Sequence, residues 1–315
     1  MSLHRLTSVT IGVPNVAETA AYYADFGLTP AGDSTAADSL AAEFTTVDGG
    51  QQLRLVQAPV RQLVAMVVGA DDLDDIGRVA AQLRALDLPA VRDGQSVVTA
   101  EPVAGFRATV EVASRVTQPE IPATPYNGPG RVERPDGRAP GVLRAGPVRP
   151  RKLGHVVVGT TGLEATNRFF TAGLGFKVSD YIGDRGAFMR CSTDHHNVLA
   201  LAAPVNFLHH TSWQVEDVDE VGRGAFAMLA DHPDRHVWGL GRHHAGSNFF
   251  WYLKDPAGNF SEYYSDMDCI IEDQLWTPEA MQGARGLFNW GPPPPPSFLH
   301  PDDLAAMMTG AHSEG

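Results

Sequence analysis

Short apolar runs, β-branched or alternating with polar residues, recur along this chain, each followed by turn residues or by a stretch with helical period. LTSVTIGVPNVAETAAYYADFGL, from Leu6, reads as a strand, a turn at Gly12 and an amphipathic helix carrying Tyr22 and Tyr23. LGHVVVGTTGLEATNRFFTAGLGF, from Leu153, repeats that order with the turn at Gly159 and the aromatic pair Phe169 and Phe170. A second pair follows: LVAMVVGADDLDDIGRV from Leu63 matches LHHTSWQVEDVDEVGRG from Leu208, each a strand entering a helix whose acidic start suits the N-terminal dipole. EPVAGFRATVEV from Glu101 and DPAGNFSEYYSD from Asp255 close the two halves, each with a turn before a last strand. The pattern predicts an α+β protein built from a duplicated half, with four strand-helix-strand units at about 6–57, 62–116, 152–203 and 208–266.

Two segments break the pattern. Residues 117–151 are rich in Pro, Gly and Arg without an apolar period and read as a linker between an N-terminal domain (4–116) and a C-terminal domain (152–266). The tail, 267–315, holds Trp276, Phe288, Trp290 and the run GPPPPPSFLHP, which cannot join a helix or a central strand; it is either an ordered wrap or a lid over the site.

Composition narrows the class. A length of 315 residues suits two ordinary domains, and a 43% hydrophobic content is enough for packed cores. No apolar run approaches the roughly 20 residues of a membrane span, no secretory signal is legible, and two cysteines make no disulfide framework, so the expected location is the cytoplasm. A net charge of -13 argues against nucleic acid as a partner.

The duplication allows the two halves to be compared position by position. His155 falls opposite Ser8, His210 opposite Ala65 and Glu262 opposite Ala108, so the C-terminal half alone carries two imidazoles and a carboxylate where the repeat converges. A single strand histidine is usually a hydrogen-bonded core residue, but three coincident differences favour a ligand set. Two His and one carboxylate form the facial triad of mononuclear non-heme Fe(II) sites, which leaves adjacent positions open. Because strand side chains alternate, only one of His209 and His210 is expected to face inward, and His210 shares its face with Ser212 and Gln214.

The blocks LGHVVVG, RCSTDHHNVLALA, LHHTSWQVEDVDEVG and GLGRHHAGSNFFWYLKDPAGNFSEYYSD together resemble the vicinal oxygen chelate superfamily, and within it the type I extradiol ring-cleaving dioxygenases that act on catechols and dihydroxybiphenyls. The resemblance implies two domains, each a pair of βαβββ modules forming an incomplete barrel, with the metal in the C-terminal one. It implies His155, His210 and Glu262 as ligands of Fe(II), or Mn(II) as in some members. It places His196 as the active-site acid/base, with His243 and Tyr252 donating hydrogen bonds to substrate oxygen. It further implies a catechol and O2 as reactants, no membrane partner and a homo-oligomeric assembly. The other readings are a glyoxalase-like lyase or isomerase using its metal as a Lewis acid, and a metal-free binding protein of the resistance type.

Overall fold

The computed structural model describes residues 3–32 and 40–313. The N-terminal half runs β1 (Leu3–Val13), α1 (Val16–Asp25), β2 (Thr29–Pro30), β3 (Ala41–Thr46) and β4 (Gly50–Gln57). It continues β5 (Gln62–Ala70), α2 (Leu73–Ala85), β6 (Ala90–Asp93), β7 (Ser96–Ala100) and β8 (Arg107–Val112). After a four-residue helix α3 (Pro140–Leu143) the same order returns: β9 (Lys152–Thr160), α4 (Leu163–Arg168), β10 (Lys177–Ile182), β11 (Gly186–Arg190) and β12 (Val198–Ala202). The last module is β13 (Phe207–Gln214), α5 (Val218–Leu229), β14 (His236–Arg242), β15 (Phe249–Lys254) and β16 (Phe260–Ser265).

Each half forms one sheet in which two βαβββ modules meet through their first strands. The orders are β2-β3-β4-β1-β5-β8-β7-β6 and β14-β15-β16-β13-β9-β12-β11-β10, each open at its ends. The expected fold of paired modules forming incomplete barrels is therefore present. The C-terminal sheet carries one strand more, because β17 (Ala280–Met281) of the tail adds in parallel beside β10.

The helix starts follow the capping chemistry legible in the sequence. Asn15, Asp72 and Asp217 each accept a backbone N–H of the first turn of α1, α2 and α5, satisfying donors the helix leaves free. The helices then pack across the halves. Just after α1, the Phe26 ring stacks on Tyr263 of β16 at 3.9 Å, and from α1 itself the Tyr22 hydroxyl meets Ser261 Oγ at 2.5 Å. In the reverse direction Phe170, in the turn that extends α4, lies 6.4 Å from the Phe106 ring of the N-terminal half. One core of buried residues consequently runs through both sheets, with Tyr23, Phe44, Leu83, Phe169 and Trp213 among its members.

Candidate metal centre

The site rests on the three middle strands of the C-terminal sheet. His155 of β9 pairs in register with Ser212 of β13, and Ser212 pairs with Glu262 of β16. A β-bulge separates Leu208 from His210, so that Leu208 faces Val158, His210 faces Val157, and His209 has no partner in the ladder. That bulge overturns the expectation that only one histidine of the pair faces inward: His209 and His210 both border the cavity, their Nδ1 atoms 2.7 Å apart.

The same bulge occurs in the N-terminal half. Thr10 pairs with Ala65 and Ile11 with Leu63, which leaves Val64 unpaired where the C-terminal half has His209. Strand pairing thus sets Ser8 against His155 and Ala65 against His210. It corrects the third correspondence by one residue, because Val67 pairs with Thr109; Thr109, not Ala108, occupies the place of Glu262.

Donor atoms of His155, His210 and Glu262 all lie within 4.8 Å of one another. His155 Nε2 is 3.0 Å and His210 Nε2 3.7 Å from Glu262 Oε2. Among the described residues, His210 Nε2 and Glu262 Oε2 are buried with no partner in hydrogen-bond geometry, the close His155 Nε2 included, a costly state for polar atoms unless a bound ion satisfies them. The residues therefore fit a divalent ion of the kind that two imidazoles and a carboxylate select. Glu262 Oε1 accepts from Asn248 Nδ2 at 3.2 Å, which orients the carboxylate. Burial acts to raise the Glu262 carboxyl, yet His155 and His243 outweigh it and hold the group well below its usual range. Burial, followed by the neighbouring His209, keeps His210 well below the ordinary imidazole value, so it is the neutral ligand form.

The remaining expected residues also reach this cavity. His196 borders it, its ring 4.2 Å from that of His155, and burial followed by the nearby imidazoles lowers its pKa strongly. His243 and Tyr252 are bonded to each other, with Nε2 and Oη 2.8 Å apart. His243 Nδ1 is hydrogen-bonded to the Leu287 carbonyl, which requires the proton on Nδ1 and makes Nε2 the acceptor for the tyrosine hydroxyl. Burial and the charge of Glu262 push the Tyr252 phenol well above its normal value, keeping it a donor.

The cavity has a volume of about 410 Å³ and lies between two small apolar clusters. Phe188, Leu199 and Met281 belong to one, and Trp238, Phe250 and Phe298 to the other. Met281, Leu287, Phe298 and Leu304 come from the tail, which is thus part of the wall. The tail also ends two histidine chains, since the Phe298 carbonyl accepts from His209 Nε2 at 2.6 Å while Leu287 serves His243. Sequence reasoning missed His209, Asn248 and these tail carbonyls. The doubled histidines were a usable signal; a backbone carbonyl has none.

Residues 152–263 match the model of the Glyoxalase/Bleomycin resistance protein/Dioxygenase superfamily. A curated relative, metapyrocatechase 2 of Cupriavidus necator, is 36% identical over 176 residues, covering 54% of this chain and 55% of its own. The chain thus spans about half the length of the curated relatives it matches. Among solved structures, a Mn(II)-bound glyoxalase from Novosphingobium aromaticivorans superposes with a TM-score of 0.70 at 26% identity, covering 93% of this chain and 95% of that one. Homoprotocatechuate 2,3-dioxygenase from Brevibacterium fuscum, in complex with 3,4-dihydroxyphenylacetate, gives 0.73 at 19% identity, covering 95% and 92%, a likeness of fold.

Proposed function

We propose that the protein, whose residues 152–263 match the model of the Glyoxalase/Bleomycin resistance protein/Dioxygenase superfamily, is an extradiol dioxygenase that opens a catechol ring with O2 at a mononuclear Fe(II), with Mn(II) as the alternative ion. The observation that carries this reading is the gathering, at one cavity, of the His155, His210 and Glu262 donors with His196 and the His243–Tyr252 pair.

The ion would be held by Nε2 of both histidines and Oε2 of Glu262, and when bound it supplies open coordination positions and the one-electron chemistry that dioxygen and a closed-shell catechol otherwise lack. The chain does the rest. His196, neutral and facing the cavity, accepts a ring hydroxyl proton and returns it later, the work of a general acid/base. Tyr252 offers a preplaced hydroxyl donor, which turns from His243 Nε2 to an oxygen whose charge changes; His243, its own proton held by the Leu287 carbonyl, positions that hydroxyl rather than donating itself. The two apolar clusters hold the ring and exclude water. Among the described residues no helix is long and apolar enough to cross a membrane. The two free thiols, Cys191 and Cys269, suit a cytoplasmic location, and a homo-oligomer is the assembly the resemblance favours.

A second reading, a glyoxalase-like lyase or isomerase, is favoured by the likeness to the Novosphingobium glyoxalase over nearly the whole chain. Oxygen separates the two. After anaerobic loading with Fe(II), exposure to a panel of catechols under air is expected to consume one O2 per catechol and to yield yellow ring-opened products. Metal binding without oxygen uptake across the panel would transfer the assignment to the lyase.

A further inference from the structure

His195 and Asp180 continue inward from His196 as a buried chain. His195 Nδ1 lies 3.0 Å from His196 Nδ1, and His195 Nε2 lies 2.8 Å from Asp180 Oδ2. The three are 0%, 4% and 3% exposed for His195, His196 and Asp180, so water does not compete for these bonds. Asp180 is itself held, because its Oδ1 accepts the backbone N–H of Glu279, in the tail, at 2.7 Å. The rings are walled by Phe188, 5.7 Å from His195 and 5.0 Å from His196, and by Trp276, 5.3 Å from His195. The nearby Arg190 cation is engaged elsewhere, with Ser179 Oγ at 2.8 Å and Asp273 at 2.7 Å. At Gly246, where φ is +77°, a Cβ would stand 3.2 Å from His195 Nδ1, so the opposing turn leaves the His195 ring little freedom to move.

We propose that Asp180 and His195 are positioning residues that set the tautomer of His196, leaving a bare Nε2 toward the cavity; the inference rests on the reading of His196 as the acid/base of the reaction. The logic is a count of donors and acceptors. A carboxylate only accepts, so Asp180 requires the proton of His195 to be on Nε2. A neutral imidazole then has a lone pair on Nδ1, and the 3.0 Å contact can be a hydrogen bond only if His196 donates from its own Nδ1. His196 Nε2 is left without a proton, ready to accept one from a ring hydroxyl. The opposite pattern would turn a proton toward the cavity and leave no base there.

Nitrogen-15 NMR of the Zn(II)-loaded protein reads the tautomers directly. The expected spectrum has His196 protonated on Nδ1 and His195 on Nε2; a His196 protonated on Nε2 would overturn the proposal, whatever reaction the protein catalyses. The kinetic arm uses the Fe(II) protein with a catechol it turns over. Asp180→Asn can donate where the carboxylate accepted, and it should lower kcat on the order of 100-fold, since a wrong tautomer in a comparable carboxylate-imidazole pair costs up to about 10⁴. KM and metal content should stay within about threefold, and Asp180→Glu should recover part of the rate. Unchanged kcat, or loss of metal in proportion to kcat, would overturn it. If no catechol is turned over, the reaction assignment fails alone, and the tautomer measurement still decides the relay.

Discussion

The two halves share a backbone plan down to the bulge in their fifth and thirteenth strands, yet one gathers a ligand set and the other does not. At equivalent places the N-terminal half has Ser8, Ala65 and Thr109, and the C-terminal half His155, His210 and Glu262. At the bulge itself Val64 stands where His209 stands. The strand geometry that makes three side chains converge is therefore a property of the fold, whereas metal binding needs the donors and also the groups that orient them. His210 has His209 and the Phe298 carbonyl behind it, and Glu262 has Asn248. The tail that supplies Phe298 adds to the C-terminal sheet through β17, alongside β10.

That contrast can be broken from either side. The largest expected effect is in the C-terminal half: Glu262→Ala should remove the bound ion and all measurable ring cleavage, with metal content by elemental analysis falling from about one per chain to under a tenth. Retained metal with retained activity would sink the ligand assignment. The reciprocal graft, Ser8→His with Ala65→His and Thr109→Glu, tests whether donors suffice. Since orienting partners are worth about 10–100-fold in affinity, a second metal equivalent should bind at least about tenfold more weakly than the first by competition titration. Equal affinity at both sites would show the supporting groups to be unnecessary. Smaller still is the effect at the bulge. His209→Leu should weaken metal binding about 10–100-fold, while Val64→Ala at the matching position should leave it unchanged and lower stability by only about 1 kcal/mol in a denaturant titration.

Much of this organisation was legible before any coordinates. The repeat, the strand and helix order and the three convergent residues all follow from apolar period and from matching one half of the chain against the other. The failures have physical causes. Strict alternation assumes an unbroken ladder, and the bulge at His209 moves a residue onto a face that alternation denies it. The Ala108 correspondence slipped by one residue to Thr109 because β8 and β16 lack a shared apolar pattern that would fix the register, which only the pairing with β5 and β13 defines. The tail was open between a wrap and a lid. Its proline run gave no hint that Leu287 and Phe298 present carbonyls to histidines, because the main chain is the same at every position.

The contacts that helix residues make across the halves have a practical consequence. Phe26 covers Tyr263, and Tyr23 meets Trp213 at 6.4 Å, so the N-terminal half forms the outer surface of strands that hold the ligands on their other face. Residues 152–266 produced alone would present those aromatic rings to water, and such a patch drives self-association. The half that lacks the ligand set thus serves as the packing surface of the half that has it, and a protein cut at residue 151 is expected to self-associate, which size-exclusion chromatography would read.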